Sequence, residues 1–458
     1  MSKLRPKLRS KLISPTCPRP TGRRPRHARG VASLTVVMVL FFILSLVAAY
    51  TSRNLIFEQR TSANQYRSTQ AFEAAEAGLE WAMSMLNSGR INATCAASTN
   101  TADTSFRQRY LAINAVTGNI TPVPRADDAD LSRNPSCVFN GANWQCSCPA
   151  DSNPALILPA GGGVFPAFRV RFTLPSPIQP GVVVIESNGC TRADDACLRF
   201  EDSAQSGAGD GRATVSTTIA LQSGLVAPPI AALTVRGNLN VGGAALGAYN
   251  ANAEPAPGGI TIFAGGTVNE TGLVLGSSPG SPASESVIES DPKLADLPNA
   301  AIRTGRAATD LMYASVFGMW PDTYRTQPGT LVLNCAGTCS AAAVRTAASL
   351  NPGRMLWLAG NLDFDSAGDV GSMAAPVVIV ATGNVTFTND VNVYGLVYSR
   401  AADWASAGAG RVLGAGVAEG NLGGSGTTTF VNDTTVLESL RLQTGSFVRV
   451  PGSWRDFR

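Results

Sequence analysis

The chain has 458 residues, 44% of them hydrophobic and 15% charged, with 46 Gly and 28 Pro; that length allows more than one domain, and the Gly and Pro content favours turns and β-structure over helix bundles. The net charge of +4 hides a split: residues 1–30 hold ten Lys/Arg and no Asp/Glu, which leaves 26 basic against 32 acidic side chains in the rest, with Lys293 its only lysine. The body therefore has no nucleic-acid signature, and because His27 is the only histidine, loss of the basic segment would remove imidazole catalysis and His-ligated metal together.

Residues 1–30 read as a basic leader. Val31 to Ser52 follows without a single charged side chain. A helix over that stretch rises roughly 33 Å, enough to cross a bilayer. The arginines ahead of it place residues 1–30 in the cytoplasm and the chain after about residue 53 outside. A secretory signal would have a shorter apolar stretch ending in a small-residue cleavage site, and here helical sequence follows instead.

Residues 53–88 contain no Pro and one Gly, Gly78. Phe72, Ala75, Leu79, Ala82 and Leu86 recur at steps of three and four, so one helix face is apolar. Glu58, Arg60, Glu73, Glu76 and Glu80 can remain solvated. A single helix over 31–89, transmembrane over 31–52 and capped at Gly89, is expected.

Three landmarks in this stretch resemble a known family. Arg29-Gly30-Val31-Ala32-Ser33-Leu34 is similar to a class III-type prepilin junction and to the start of the PilX group of minor pilins. Phe57 to Asn64, with Glu58, Arg60 and Asn64, resembles that group's Glu-Arg and Asn motif. Ala71 to Leu79, with Phe72, Glu76 and Leu79, resembles its Ala-Ala-Glu-Ala segment. The likeness is confined to the junction and the long helix. It implies cleavage after Gly30 by prepilin peptidase, N-methylation of Val31, and filament incorporation through the long helix among other minor and major pilins. Major pilins place Glu at the fifth mature position, where this chain has Thr35. That carboxylate is thought to meet the terminal amine of the neighbouring subunit, so its loss suits a first subunit with nothing ahead of it.

Residues 90–226 read as a pilin-like head. Phe168–Phe172 and Arg212–Gln222 alternate as strands, and Val182–Ile185 is a short buried run. The succession implies an antiparallel sheet laid on the second half of the long helix. Eight cysteines lie beyond the leader, which holds Cys17: Cys95, Cys137, Cys146, Cys148, Cys190, Cys197, Cys335 and Cys339. They are expected as disulfides in an oxidising compartment. Cys190–Cys197 and Cys335–Cys339 would close small loops, and Cys137 would pair with Cys146 or Cys148. Asp127, Asp128 and Asp130, like Asp194-Asp195, lack calcium-loop spacing and read as solvated.

Ala227-Pro228-Pro229 opens a third region, 227–458. Leu233–Val241, Leu356–Phe364 and Val378–Phe387 each read as strand, Gly-Asn turn, strand; Gly259–Val268 and Gly420–Leu422 are weaker copies. Hairpins and a parallel β-helix both fit, and an irregular β-helix-like or sandwich module is favoured. A polar insertion is expected at 276–292 and a short helix at Asp310–Phe317. Asp363, Asp365, Asp369 and Asp390 are the candidates for carbohydrate chemistry, but turn and strand-edge roles suit them better.

The expectation is an α+β protein: a long N-terminal transmembrane and amphipathic helix on an antiparallel β-sheet head, then a β-rich module. Its function is that of a non-enzymatic minor pilin-like subunit, without cofactor or metal. It is held in inner-membrane lipid with its N-terminus cytoplasmic and acts in pilus assembly initiation or at the tip of a pilus, where the module can meet a surface, a glycan or a partner pilin. A K-type minor pseudopilin of a type II secretion system and a membrane-anchored β-helix carbohydrate-active protein are the alternatives.

Overall fold

The computed structural model describes residues 30–123, 134–150, 159, 165–194, 196–200, 211–252, 259–278 and 282–456. The leader through Arg29 with Cys17 and His27, the triad Asp127, Asp128 and Asp130, Asp195 and part of the polar insertion lie outside them. The chain divides at Ala63/Asn64 into two units.

Helix α1 runs from Gly30 to Leu86. In the first unit, residues 33–63 of it are exposed along their whole length. Thr51 and Ser52 turn their hydroxyls back to the carbonyls of Val47 and Ala49 at 2.9 and 3.0 Å. Such bonding lets polar side chains sit on an apolar helix without an outside partner.

In the second unit the rest of α1 packs on a sheet. Helix α2 (Phe106–Tyr110) opens on a Ser105/Gln108 capping box and leads into β1 (Leu111–Ile113) and β2 (Ile120–Pro122), an antiparallel pair. Then come β3 (Ser136–Phe139), β4 (Trp144–Ser147), β5 (Ala167–Thr173), β6 (Val182–Cys190) and β7 (Arg212–Ser223). They form an antiparallel sheet in the order β4-β3-β5-β6-β7. Val170, Val183, Ile185, Val215 and Ile219 point from it toward α1, where they are buried with Ala75, Leu79, Ala82 and Leu86.

The second unit continues with β8 (Leu233–Val235), β9 (Leu239–Asn240), β10 (Gly247–Tyr249), β11 (Ile262–Ala264), β12 (Val268–Asn269), β13 (Val274–Gly276) and β14 (Val287–Ile288). Four helices follow: α3 (Pro292–Ala295), α4 (Leu297–Thr304), α5 (Ala308–Phe317) and α6 (Pro321–Arg325). Beyond them lie β15 (Thr330–Ser340), α7 (Ala341–Leu350), β16 (Met355–Asp363), β17 (Val377–Ala381), β18 (Val385–Thr386), β19 (Asn392–Ser399), β20 (Asp403–Ser406), β21 (Arg411–Ala418), β22 (Asn421–Gly424) and β23 (Thr429–Asn432). Helix α8 (Thr434–Gln443) and β24 (Gly445–Arg449) end the chain's regular structure.

Every strand pairing described within β8–β23 is parallel, which sets the hairpin reading aside. The winding order is not the chain order. Leu233 pairs with Ile262 on one side and Gly416 on the other. The first turns of the region thus stack on its last. The four helices carry the chain from β14 at one end of the ladder to β15 at the other. β17 is buried at all five positions because residues lie over both of its faces.

The Gly-Asn repeats are corners of this winding. Asn361 Oδ1 accepts from the Asn384 backbone N–H at 2.9 Å. Asn421 Oδ1 accepts from Asn238 N–H and Asn238 Oδ1 from Thr267 N–H, both at 2.9 Å. Each amide ties its corner to the next coil. Gly360 supplies a positive φ of 146°, and a Cβ there would lie 2.5 Å from the Gly337 carbonyl oxygen. This combination of backbone freedom and close approach selects glycine.

Candidate functional site

The residues singled out on α1 fall into two environments. Glu58, Arg60 and Asn64 are exposed, as is Thr35 in the apolar stretch. Leu34 to Phe57 presents a run of exposed apolar side chains on a segment long and apolar enough to cross a membrane. A large exposed apolar surface on a folded protein marks a place for lipid or a partner.

The Ala-rich segment does different work. Ala71, Ala74, Ala75, Gly78 and Ala82 are buried, with Glu73, Glu76 and Glu80 on the opposite side and exposed. Small residues bring the helix backbone onto the sheet. A Cβ on Gly78 would meet Ser187 Oγ and lie 2.8 Å from the Phe168 ring. A Cβ on Gly189 of β6 would meet the Ala71 carbonyl. Phe72, at the edge of this contact, meets Trp454 edge-on with ring centroids 6.1 Å apart.

The end of α1 corrects the expected cap. The helix stops at Leu86 and Gly89 keeps an ordinary backbone, without left-handed φ. Asn87 ends the helix instead by exchanging two hydrogen bonds with Phe447 of β24, at 2.9 and 2.8 Å. Gly89 is needed for space, since a Cβ there would lie 2.7 Å from the Leu350 carbonyl oxygen.

Arg107 sits at the same junction. Its guanidinium donates to the carbonyls of Leu86, Gly353 and Gly445 at 2.9, 2.9 and 3.1 Å. It thereby joins the last turn of α1, the loop before β16 and the start of β24. A cation there also meets the negative end of the helix dipole. Burial, with the nearby Arg354 charge, pulls its pKa down to about 9, still far enough above neutrality to keep it charged.

β24 completes the head sheet by pairing antiparallel with β7, from Gly445↔Ser223 to Arg449↔Ile219. Gly224 N–H donates to the Thr444 carbonyl at 2.8 Å. The two ends of everything between them therefore meet like the ends of a hairpin loop. Sequence reasoning missed this return, because the whole parallel region separates the two partners along the chain.

A second buried cluster fastens α5 to the parallel ladder. Glu419, just after β21, is 1% exposed. It accepts from Tyr398 Oη at 3.0 Å and from Arg400 Nε at 2.9 Å. Arg400 Nη2 reaches Asp310 of α5 at 3.0 Å. Arg236 also donates to the Glu419 backbone carbonyl. Burial pushes the Glu419 carboxyl up to about 7, against the pull of Arg400 and Tyr398. Burial alone would lower Arg400, but Glu419 outweighs it and that pKa rises.

Among the described residues four disulfides are formed: Cys95–Cys148, Cys137–Cys146, Cys190–Cys197 and Cys335–Cys339. Cys137 takes Cys146, its cross-strand neighbour on β4. Cys148 is left to clamp the loop after α1. The aspartates weighed for catalysis hold turns: Asp363 accepts from Thr388, Asp365 from Ala341 N–H, and Asp369 from Asn392. Asp390 is exposed. Among the described residues no cluster of three or more His, Cys, Asp or Glu could hold a metal ion.

Comparison with known proteins gives one family. Residues 29–80 match the family described as PilX N-terminal. A crystal structure of the competence-associated pilin ComZ from Thermus thermophilus matches with 12% identity and a TM-score of 0.20, over 85% of this chain and 97% of that one. At that score the likeness carries no argument. No curated protein matches the chain. The matched segment contains all three landmarks read from the sequence, at Arg29-Gly30, Glu58 to Asn64 and Ala71 to Leu79, and over these residues the chain is similar to the N-terminal part of the PilX family.

Proposed function

We propose that the protein is a minor, non-enzymatic pilus subunit that stands at or near the filament tip and displays a large module there. Prepilin peptidase removes the leader between Gly30 and Val31. The mature helix waits in inner-membrane lipid, with the leader side cytoplasmic, and then enters a filament among minor and major pilins.

The proposed division of the chain is a leader over 1–30, the helix over 31–89 with 31–52 in the membrane, a head from 90 to 226, and a β-helix-like module from 227. One amendment concerns the far end. Residues 445–456 belong with the head, so the module is an insertion within the β7–β24 pair. That insertion is the observation that carries the proposal, because Gly224 and Thr444 are hydrogen-bonded across its base. A module larger than the head that bears it crowds its neighbours if repeated at every filament position. A terminal position removes the crowding and leaves the module facing outward, toward a surface, a glycan or another pilin. Thr35, in place of a carboxylate, fits a subunit with no neighbour ahead.

Mass spectrometry of the membrane-extracted N-terminus tests processing, with a methylated Val31 as the expected result and an intact Met1 as the result against it. Gold labelling of the module on sheared filaments tests position. Label confined to filament ends supports the tip, and label spaced along the shaft removes it. Thr35→Glu should reduce end labelling, and unchanged piliation and labelling would show that residue 35 says nothing of position.

A further inference from the structure

Arg107 is 3% exposed, yet its three hydrogen bonds all go to neutral carbonyls. The charge that acts on it most is a second guanidinium, that of Arg354, which pulls its pKa further down. Arg354 in turn donates to Asn351 Oδ1 and to the carbonyls of Pro328 and Thr330, at 3.1, 3.4 and 3.2 Å. Among the described residues no carboxylate bonds either arginine. Carbonyls disperse a buried positive charge without cancelling it, and buried cations are ordinarily paired with an anion.

Arg107 also lines a cavity of about 160 Å³. Gln108 and Gln443 bring amides to the same wall, while Leu111, Pro352 and Pro376 make an apolar side. No acidic side chain lines it. Gln108 is exposed at its rim, so the cavity can be reached from solvent. A guanidinium has five N–H donors; three are spent on carbonyls, which leaves one on each Nη. Bonds from a guanidinium to a carboxylate are roughly twice as strong as those between neutral groups. The apolar side is wasted on a hydrated inorganic ion, whereas a short hydrocarbon stem covers it. A cavity of about 150 Å³ takes a benzene-sized guest, so the stem is limited to a few carbons.

We infer that this cavity binds a carboxylate carried on a short apolar stem, with Arg107 as its charged anchor. The carboxylate comes from a small organic acid or from a side chain of another subunit. Either source supplies the counter-charge that the fold itself omits. The site lies away from the exposed part of α1, and it adds a ligand to the structural role proposed above.

Butyrate is the probe, applied to the full-length, detergent-solubilised protein. Sodium chloride at equal ionic strength and neutral butyramide are the references. Butyrate should raise the unfolding midpoint more than either, by about 2 °C at tenfold over its dissociation constant, and the rise should grow with the logarithm of concentration. A rise no larger than that from chloride or butyramide overturns the inference. Arg107 variants lose stability by themselves, so Gln443→Glu is the deciding variant. It sets a carboxylate on the cavity wall and should abolish most of the butyrate response, whatever its own starting midpoint. A response equal to the wild type's would place butyrate elsewhere and also overturn the inference. The source is read by repeating the titration on sheared filaments. A response in both pools identifies a free acid, and a response confined to the solubilised protein identifies a carboxylate already supplied by a neighbouring subunit. Absence of the protein from the sheared fraction would count against the filament reading alone, since the solubilised protein still decides the site.

Discussion

Asn87 and Phe447, 360 residues apart, exchange two hydrogen bonds: the Asn87 amide nitrogen donates to the Phe447 carbonyl and its oxygen accepts from the Phe447 N–H. One side chain thus serves as an extra strand residue for β24 at the point where α1 ends. Asn87→Ala leaves a buried N–H and a buried carbonyl without partners. The expected cost is about 2–4 kcal/mol, at roughly 1–3 per orphaned group with partial relaxation. Chemical denaturation of the detergent-solubilised protein measures it, and a change below about 0.5 kcal/mol would show that water replaces the amide.

Arg107 reaches three carbonyls on three segments, and no lysine can. The rigid fork of a guanidinium presents several donors at once, whereas an ammonium is a compact point charge on a flexible stem. Arg107→Lys should cost about 2 kcal/mol or more by leaving at least one carbonyl unmet and a charge buried. Limited proteolysis should then cut first in the loop around Gly353, because that contact is the one made across to the parallel region.

Helix packing on the sheet gives a test in which two effects oppose each other. Gly78→Ala gains roughly 0.8–1 kcal/mol of helix propensity. It also places a methyl against Ser187 Oγ and the Phe168 ring, and overpacking a filled core costs about 1–3 kcal/mol. Phe168 is wedged between Trp81 and Trp144, with ring centroids 5.5 and 4.8 Å away, so it has little room to give. Net destabilisation is expected, larger for Gly78→Val, and a more stable Gly78→Ala protein would mean that the sheet yields.

These contacts show which parts of the fold are open to reading in sequence. Strands β5, β6 and β7 are, because one buried face forces alternation or a short apolar run that survives without any partner being known. The Ala-rich face of α1 is legible for the same reason. β24 is not: Gly445–Arg449 is a short segment whose identity as a strand comes from β7, far away in the chain. Helices α7 and α8 are hidden inside a strand rhythm, yet each carries a local sign in its N-cap, Ser340 accepting from Ala343 N–H and Asp433 from Val436 N–H. Cys95–Cys148 closes a long loop and cannot be chosen from spacing. The Arg107 and Glu419 networks are assembled from segments distant from one another in the chain, so no local pattern announces them.

The Glu419 cluster predicts a pH dependence of unusual sign for a carboxylate beside an arginine. Its folded pKa is about 7, above the ordinary value near 4.3. Between those values the native state holds a proton that the unfolded chain has lost, so stability falls as pH rises through this window and levels off above about 7. The full effect is on the order of 3 kcal/mol, from 1.36 per unit. Glu419→Gln keeps an acceptor for Tyr398 and Arg400 but cannot titrate. Its unfolding midpoint should be nearly flat from pH 5 to 7.5 where the wild type declines. Parallel slopes in the two proteins would place the titration elsewhere. A rising wild-type slope would show that Arg400 and Tyr398 outweigh burial and keep Glu419 ionised.

Removal of the inserted region is the most demanding prediction. Gly224 and Thr444 are already bonded, and Ser223 pairs with Gly445, so replacing residues 225–443 by a short turn converts β7 and β24 into an ordinary hairpin. The head keeps its own core, made by α1, α2 and strands β3–β7 with Phe447, and three disulfides of its own. It loses the Gly353 carbonyl bonded to Arg107 and the Tyr324 hydroxyl bonded to the Gly224 carbonyl. The shortened protein should therefore fold with Cys95–Cys148, Cys137–Cys146 and Cys190–Cys197 intact, at lower stability than the parent. Disulfide mapping and protease resistance check this. Scrambled pairing in the shortened chain, with native pairing in the parent, would show that head and module fold as one cooperative body.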